Sequence, residues 1–434
     1  MGRIALAETT ESGLDKRPSA PASMMRPLLV VFLPFACGYF LSYLYRSVNA
    51  VIAPQLIGDI GLSAGNLGFL TAIYLLAFAA FQLPLGLLLD RYGPRRVQAA
   101  LLLVAALGAL IFAIGQSMLV LTLGRALIGL GVAGGLMASF KAITLWFPPA
   151  RWPLINGCFL ASGGLGALAA TVPVETLLQV TDWRGVFFIL CAATVCASGL
   201  IFKVVPEAES GVEATRFADQ MAGLRMIYTD RVFWRLAPVT ITCSAAGMSI
   251  LGLWAGPWFK DVAGFDRAGV ATSLLISAAA MAAGSVFAGV AADLFGRRGI
   301  SLNLVMGSGV AVYGLALAAI VFGLDLPVLL PWIVFGLTAN MNMLVFPQLS
   351  AHFPLHYAGR ASTALNVLVF IGAFSCQYAI GWIIDFWTPA PGGGYQAEAY
   401  QVAFGAVLAL VLLAFVWFLL GSGARNAARP MPAA

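Results

Sequence analysis

The sequence predicts an all-α membrane protein: twelve transmembrane helices in two pseudo-symmetric six-helix bundles, with both termini in the cytoplasm. Three observations lead to this prediction, namely an apolar composition, twelve long apolar runs and a one-sided distribution of basic residues. Of the 434 residues, 61% are hydrophobic and only 10% are charged, whereas soluble domains carry about 25% charged residues. So few charges cannot cover a water-facing surface, and we therefore expect the chain to lie in a bilayer.

Apolar runs long enough to cross about 30 Å of hydrocarbon as helices recur along the chain. The runs do not alternate apolar and polar residues as the strands of a membrane barrel do, so we expect helices. The predicted spans are 28–57, 66–89, 97–115, 119–146, 153–175, 184–203, 232–256, 270–293, 300–322, 328–350, 361–385 and 400–421.

Basic residues in the connecting segments predict the orientation. When the amino terminus is placed in the cytoplasm, only Arg184, Lys260 and Arg267 fall on the outer side, and an excess of Arg and Lys marks cytoplasmic loops. The net charge of +6 therefore reflects topology, and we expect no nucleic-acid partner. The first apolar run is too long for a signal peptide, so we expect an uncleaved first helix in the inner membrane of a bacterium.

A polar segment in the middle of the chain separates two sets of six spans. We predict a disordered cytoplasmic tail at 1–26, a first bundle at 27–203, a cytoplasmic central loop at 204–231, a second bundle at 232–421 and a cytoplasmic tail at 422–434. Similar loops follow the second and the eighth spans. This repetition indicates an internal duplication.

These two loops share glycines, a carboxylate and arginines, a pattern that we interpret as a conformational latch. We expect Gly86 and Gly289 to allow close helix contact, each carboxylate to pair with a nearby Arg, and Gly93 or Gly296 to permit a tight turn. A charge cluster of this kind can form and break as the protein changes conformation. The latch residues are Gly86, Asp90, Arg91, Gly93, Arg95 and Arg96 in the first loop, and Asp293, Arg297 and Arg298 in the second.

The first loop resembles the signature of the major facilitator superfamily, G-x-x-x-D-R-x-G-x-R-R, and the second resembles the usual degenerate copy of that signature. Residues 121–131, in which an Arg is followed by glycines, are similar to the second motif of the family. The resemblance covers about residues 27–421. It implies a secondary carrier whose two bundles rock about a midplane site and expose it to each side in turn. We expect the carrier to be a monomer.

Charged residues inside membrane spans are costly, so they point to the substrate site. Arg46 is the strongest candidate, because Tyr39 and Tyr43 lie on the same helical face. Together with Asn49 it belongs to a stretch that resembles the first helix of the organophosphate and organic-anion branches, in which this Arg binds the anionic group of the substrate. A guanidinium suits a carboxylate or phosphate through two parallel hydrogen bonds. The alternative is an Arg that extends to the outer interface.

Arg125 and Lys141 in the fourth span are further candidates for the substrate site, and the membrane interface is again the alternative position. No carboxylate lies at a comparable depth, so we expect a small anionic substrate. The pattern of the phosphate carriers is incomplete, because Gln82 and Ser249 stand where those carriers have Lys and Arg. A clamp with Arg on both halves is therefore missing, and a carboxylate or other monoanion is the expected substrate.

The second half offers neutral polar side chains that are suited to hydrogen-bond the body of a substrate. Each of them has a helix-packing contact as the alternative role. Near the outer end of the seventh span, aromatic rings flank a proline, which indicates a possible gate or an interface anchor. The polar candidates are Asn340, Asn342, Asn366 and Gln377, with Thr240, Thr242 and Ser244, and the gate candidates are Trp254, Pro257 and Trp258.

The coupling mechanism and two rival functions remain open at this point. Without a deep carboxylate or histidine, anion exchange or a proton carried with the substrate would fit, and Glu175 is the remaining candidate for coupling. The rivals are an efflux pump for lipophilic drugs and a transporter-like anion sensor, but the helix-five motif of drug antiporters, G-x-x-x-G-P-x-x-G-G, is missing from residues 157–173. HExxH, GxSxG and P-loop patterns are also missing, so we expect no enzyme, cofactor or metal site.

Overall fold

The computed structural model describes residues 25–148, 151–207, 224–390 and 394–422, and within them twelve helices are long and apolar enough to span a membrane. One helical run, Ala64–Ile114, breaks at Gly93 into two spans, which we call α2 (64–92) and α3 (94–114). The other spans are α1 (Met25–Ser47, continued by Asn49–Ile60), α4 (Met118–Val132, continued by Gly135–Trp146), α5 (Trp152–Ala169, continued by Val172–Leu177), α6 (Trp183–Val204), α7 (Arg231–Asp261), α8 (Arg267–Arg297), α9 (Leu302–Phe322), α10 (Leu329–His352), α11 (Leu355–Ile384) and α12 (Ala397–Ser422).

The predicted all-helical fold with twelve spans is confirmed. The predicted tails at 1–26 and 422–434 and most of the central loop lie outside the described residues. The last part of the central segment is helical from Leu224, and Ile227 in it is fully buried. This part of the segment packs on the second half, where the Tyr228 hydroxyl donates to the carbonyl of Ala364 at 3.1 Å.

Side-chain caps define where many of the spans begin. A short oxygen-bearing side chain before the first helical residue accepts from a backbone N–H that has no partner inside the helix. Six spans, α2, α4, α6, α7, α8 and α9, begin in this way. Their capping residues are Ser63, Ser117, Asp182, Asp230, Asp266 and Ser301.

We call the end of the bundle that carries residues 90–96 and 293–298 the motif end, and the end that carries Ser63, Glu175, Arg267 and Asp385 the opposite end. At the motif end, Gly93 has φ 75° and ψ 164°, so the predicted tight turn in the first loop is confirmed. In the second loop the prediction is wrong. There α8 continues through Gly296 to Arg297, and the positive φ of 76° occurs at Gly299.

Glycines allow the helices within each half to pack closely, although not at the glycines that we expected. A Cβ atom at Gly86 or Gly289 would meet nothing within 4 Å, so the close helix contact predicted there is absent from the described residues. Both glycines lie at the motif end, on helix faces without a neighbour. The close approaches occur deeper in the bundle, where a Cβ atom at Gly129 of α4 would overlap the backbone of Tyr74 in α2.

The two halves contact each other along three pairs of helices: α1 with α7, α2 with α11, and α5 with α8. Towards the opposite end, the backbones of the facing helices come into direct contact at glycines. A Cβ atom at Gly381 would overlap the carbonyl of Ala64, and one at Gly256 would lie 2.5 Å from the carbonyl oxygen of Ala50. The interface between the halves is therefore tightly packed on this side of the molecule.

A substitution pair tests the packing at Gly129. Gly129→Ala is expected to lower the free energy of unfolding by about 1–3 kcal/mol, because the added methyl group overlaps the backbone of α2. Gly289→Ala is the matched control, since its methyl group enters open space and Ala is the better helix former. The apparent melting temperature of the purified protein in detergent measures both effects. Equal melting temperatures for the two variants would contradict the packing described here.

Candidate substrate site between the two halves

A narrow cavity lies in the middle of the bundle, where α1, α2 and α4 of the first half face α7 and α11 of the second. The cavity combines two guanidinium groups with hydroxyl, amide and apolar side chains. The residues that line it are Tyr45, Arg46, Thr71, Tyr74, Leu75, Arg125, Met248, Gly252 and Gln377. Of the sequence-predicted substrate residues, the structure thus brings Arg46, Arg125 and Gln377 together.

Arg46 lies between the halves. Its Cζ atom is 4.8 Å from the ring centroid of Tyr43, 5.5 Å from that of Phe78 in α2 and 5.2 Å from that of Phe370 in α11. Arg46, Phe78 and Phe370 lie at the same depth, about 21 Å along their helices from the opposite end. The guanidinium is therefore inside the bundle, and the alternative of an Arg that extends to the outer interface does not apply.

Arg125 approaches the same cavity from α4 and is almost completely buried, with 1% of its surface exposed. Its Nη1 atom donates to the carbonyl of Tyr45 at 3.1 Å, and its Cζ atom lies 5.1 Å and 5.5 Å from the ring centroids of Phe112 and Phe187. These contacts fix the side chain. Its Nε and Nη2 atoms have no acceptor among the described residues.

The other candidates on α1 support the cavity from behind. Tyr39 donates to the hydroxyl of Tyr43 at 3.4 Å and stacks on Phe159, so it does not line the cavity. Asn49 is fully buried, and its amide donates to the Thr71 hydroxyl at 2.9 Å. The Asn49 amide thus orients a hydroxyl group that does line the cavity.

Lys141 does not contribute to the cavity. Its Nζ atom lies 2.7 Å from Asp90 Oδ1 and donates to the carbonyl of Leu89 at 2.8 Å. Lys141 is therefore part of the charge cluster at the motif end. The same contact corrects the expectation that Asp90 pairs with a nearby Arg, because α4 brings the Lys side chain closer. Arg91 instead stacks on its neighbour Tyr92.

Among the candidates of the second half, the structure describes only Gln377 as lining the cavity. Gln377 is 2% exposed, and its Nε2 atom has no described acceptor. Asn342 is buried, donates to the Ala339 carbonyl at 2.8 Å and accepts from Ser244 at 3.0 Å, so it has the alternative packing role. Asn340 donates to Ser285 Oγ at 2.7 Å, and Asn366 is half-buried on α11 and is not among the residues that line the cavity.

The aromatic residues of α7 lie between the cavity and the opposite end. Trp254 is fully buried and its Nε1 atom donates to the carbonyl of Gln377 at 3.2 Å, which joins α7 to the cavity wall. Pro257 is also buried, and Trp258 packs on Trp332 of α10 with 5.0 Å between ring centroids. Trp254 and Pro257 are thus placed where a gate would lie, whereas Trp258 packs within its own half.

Several cavity residues were not identified from the sequence. Tyr74 donates to the carbonyl of Ser42 at 3.2 Å and lines the cavity with both arginines. Gly252 lies in a π-helical segment, Ile250–Trp254, and such wide turns often occur at functional sites. A Tyr or Gly inside an apolar run carries no local signal of this role, because only the packing of helices brings them together.

At the opposite end, two carboxylates join the halves. Glu175 near the end of α5 is 2.8 Å from Arg267 Nε at the start of α8. Asp385, directly after α11, accepts from Ser63 Oγ and from the Gly65 N–H at the start of α2, both at 2.8 Å. In each case a carboxylate at the end of one helix contacts the first turn of a helix in the other half. The two contacts occupy equivalent places in the duplicated fold.

At the motif end, the charged residues pair within one half or with the segment that follows it. Arg95 donates to the Phe202 carbonyl at 2.9 Å, and Arg96 forms an ion pair with Glu207. In the second copy, Asp293 pairs with Arg297 at 2.8 Å, as the sequence predicted for the carboxylate and Arg of that loop. Arg298 ends α8. None of these named pairs connects the two halves.

Asp230, the cap of α7, forms a further hydrogen-bonded contact at the motif end. Its Oδ2 atom is 3.2 Å from His352 Nε2, and its Oδ1 atom accepts from the backbone N–H groups of Val232 and Phe233 at 2.8 Å. Burial raises the pKa of Asp230, but the hydrogen bonds from Phe233 and His352 outweigh it, so the pKa lies below its ordinary value. The resulting stabilisation is present at neutral pH and is lost as the pH falls through this lowered pKa.

Twelve spans around a cavity between two similar halves define the class of multi-pass membrane carriers. The family model of the Major Facilitator Superfamily matches residues 35–376, and the chain therefore belongs to this superfamily. It is a secondary transporter and not an enzyme, since the members of the family are transporters. The predicted family, with its organic-anion relatives, is thus confirmed.

Curated relatives and solved structures agree with this assignment. The chain is 24% identical to the probable sulfoacetate transporter SauU of Cupriavidus necator over 80% of this chain and 85% of that protein. It is 23% identical to a putative tartrate transporter of Agrobacterium vitis over 90% and 91% of the two chains. The crystal structure of a bacterial homologue of the lysosomal transporter Spinster superimposes with a TM-score of 0.79 at 18% identity, covering 95% and 100% of the two chains.

The contact between Glu175 and Arg267 is expected to hold the opposite end closed. Glu175→Gln keeps the size of the side chain but removes its charge, and a partly exposed ion pair contributes roughly 1 kcal/mol. The population with separated halves should therefore rise roughly five-fold relative to the closed population. Electron paramagnetic resonance distances between spin labels on Val180→Cys and Asp325→Cys, in a cysteine-free background, measure this change.

Lys260→Gln is the control for the spin-label experiment. It removes an exposed charge at the same end of the molecule, where no contact between the halves depends on it in the described residues. The control should leave the distance distribution unchanged. If Glu175→Gln also left it unchanged, the ion pair would have no role in closing this end.

Proposed function

We propose that this carrier transports a small organic anion across the cytoplasmic membrane of a bacterium. The observation that supports this proposal most directly is the pair of guanidinium groups, Arg46 and Arg125, in the cavity between the halves. No acidic side chain is among the described residues that line the cavity. A positively charged cavity inside an apolar bundle attracts an anion and repels a cation.

The hydrogen-bonding groups of the cavity favour the same class of substrate. Arg46 Nε, Arg125 Nε and Nη2, and Gln377 Nε2 are buried donors without a described acceptor. Buried donors of this kind are costly unless an acceptor satisfies them. Carboxylate and sulfonate oxygens accept several hydrogen bonds at once, and the guanidinium forms its strongest bonds with such anions.

The relatives provide independent support. One is described as a probable sulfoacetate transporter and another as a putative tartrate transporter, and both of these substrates are small organic acids. Export of lipophilic drugs, the alternative from the sequence, is disfavoured by two charged groups in the cavity, because their desolvation would have no compensation from a neutral substrate. An anion sensor would bind the same ligand but would not move it.

For the transport cycle we infer alternating access between two halves, 27–203 and 232–421, that move as units. The excess of basic residues at the motif end supports a cytoplasmic position for that end and for both termini. With this orientation, the contacts of Glu175 and Asp385 close the outer side, and the motif-end charges pair within their own half. Since the cavity lining includes no carboxylate or histidine, coupling occurs by anion exchange or by a proton carried on the substrate.

Counterflow in proteoliposomes tests the proposal. Radiolabelled sulfoacetate or tartrate should accumulate in vesicles preloaded with the same unlabelled anion. Arg46→Gln should reduce the initial rate by about 10- to 100-fold, because it removes a charge-assisted hydrogen bond of about 1.5–3 kcal/mol. Arg46→Lys should retain an intermediate rate, since the charge remains but the planar geometry is lost.

Arg231→Gln is the control, because Arg231 is exposed at the start of α7, far from the cavity. Its counterflow rate should equal that of the unmodified protein. Uptake of a lipophilic cation such as tetraphenylphosphonium, unaffected by Arg46→Gln, would overturn the anion proposal and support the efflux alternative. Anion binding without counterflow would instead support a sensor.

A further inference from the structure

The two arginines belong to a single site. Arg46 of α1 and Arg125 of α4 line the same cavity, together with Thr71 and Tyr74 of α2. Arg125 also donates to the carbonyl of Tyr45, the residue next to Arg46 in the chain. Both guanidinium groups therefore act on whatever occupies this cavity.

The described residues that line the cavity do not balance its positive charge. Guanidinium groups remain protonated in proteins, and the nine lining residues add no negative charge. The helices that line the cavity do contain carboxylates, but these have other partners: Asp59 accepts from Trp183, Asp90 pairs with Lys141, and Asp261 accepts from Tyr400. The lining residues thus carry a formal charge of two positive units.

Aromatic rings reduce the cost of these charges without neutralising it. Arg46 faces three rings and Arg125 faces two, and each such contact is weak compared with the attraction of a full negative charge. An unpaired charge in a low-dielectric interior costs considerably more than such contacts contribute. When the cavity closes around a substrate, full compensation requires two negative charges, and a monoanion would leave one guanidinium without a counter-ion.

We propose that the substrate is a dianion, a short organic acid with two negatively charged groups, of which one binds Arg46 and the other binds Arg125. This inference rests on the proposed anion transport and revises the sequence-based expectation of a monoanion. Arg46 Nε and Arg125 Nε and Nη2 are the donors for the two groups. The Thr71 hydroxyl and the Gln377 amide hydrogen-bond the substrate between them, while Leu75 and Met248 limit its length.

The positions of the two charges also explain how one substrate contacts both halves. Both arginines belong to the first half, whereas Gln377 and the Phe370 ring belong to the second. The first half therefore binds the substrate by charge, and the second half closes over it with neutral groups. A neutral second half can separate from the substrate without breaking an ion pair, which favours release.

Two pairs of compounds of equal length test the number of charges. In the first pair succinate is compared with its monoamide, succinamate, and in the second 3-sulfopropanoate is compared with 3-sulfopropanamide. At pH 7.5 one member of each pair is a dianion and the other a monoanion. Counterflow in proteoliposomes should be about ten-fold faster for each dianion, a difference of about 1.4 kcal/mol. Faster exchange of succinate than of 3-sulfopropanoate would identify the substrate as a dicarboxylate, and the reverse order would identify it as a sulfocarboxylate.

Substitution of Arg125 tests the assignment of the second charge. Arg125→Gln should slow counterflow of the dianion about ten-fold more than that of the monoamide, so that the ratio of the two rates approaches one. Arg125→Lys should restore part of the ratio, because it restores the charge. Arg46→Gln, in contrast, should slow both compounds.

If Arg125→Gln does not fold, thermal stabilisation of the unmodified protein by each compound tests the dianion inference instead. The dianions should raise the apparent melting temperature at concentrations at which the monoamides have no effect. Equal exchange and equal thermal stabilisation by dianions and monoamides would overturn the dianion inference while leaving anion transport intact. If none of these four compounds, and neither sulfoacetate nor tartrate, were exchanged or bound, the proposed function itself would be wrong.

Discussion

The structure depends on two guanidinium groups placed where a membrane protein can least easily accommodate them. Arg46 and Arg125 lie among apolar helices, and the described residues around their cavity offer rings, hydroxyl and amide groups and one backbone carbonyl but no carboxylate. Such groups are costly in a membrane interior unless they are held in place and compensated. The rings of Phe112 and Phe187 and the carbonyl of Tyr45 hold Arg125 in place, and in the proposed function an anionic substrate provides the compensation.

The asymmetry between the halves follows from this constraint. Charge is concentrated on α1 and α4, and the second half contributes the amide of Gln377, the backbone of the π-helical segment and the ring of Phe370. At the opposite end, by contrast, charged side chains of both halves join the halves. These contacts form only while that end is closed, and they must break before the cavity can open there. Because they are few and partly exposed, neither the closed nor the open state is strongly favoured, as a carrier that alternates between two states requires.

The sequence predicted those features that depend on local composition. Twelve spans, the break at Gly93 and the position of Arg46 in a span can be predicted from short stretches of sequence. Long apolar runs form spans, a glycine permits a positive φ at a turn, and a charged residue inside a span is rare because it is energetically unfavourable. Features that depend on packing were missed or predicted wrongly. Lys141 pairs with Asp90 across α2 and α4, and a Cβ atom at Gly86 or Gly289 would meet none of the described residues within 4 Å. Tyr74 and Thr71 lie in apolar runs that conceal their position at the cavity.

The central claim is that two guanidinium groups hold one small organic anion between the halves. A structure of the protein determined with a short dianion such as succinate bound would test it most directly. We expect density for the two anionic groups within about 3.2 Å of Arg46 Nε and of Arg125 Nε or Nη2, the upper distance for a hydrogen bond between N–H and O. Density for the anion at any other place, with these nitrogen atoms still without an acceptor, would contradict the account.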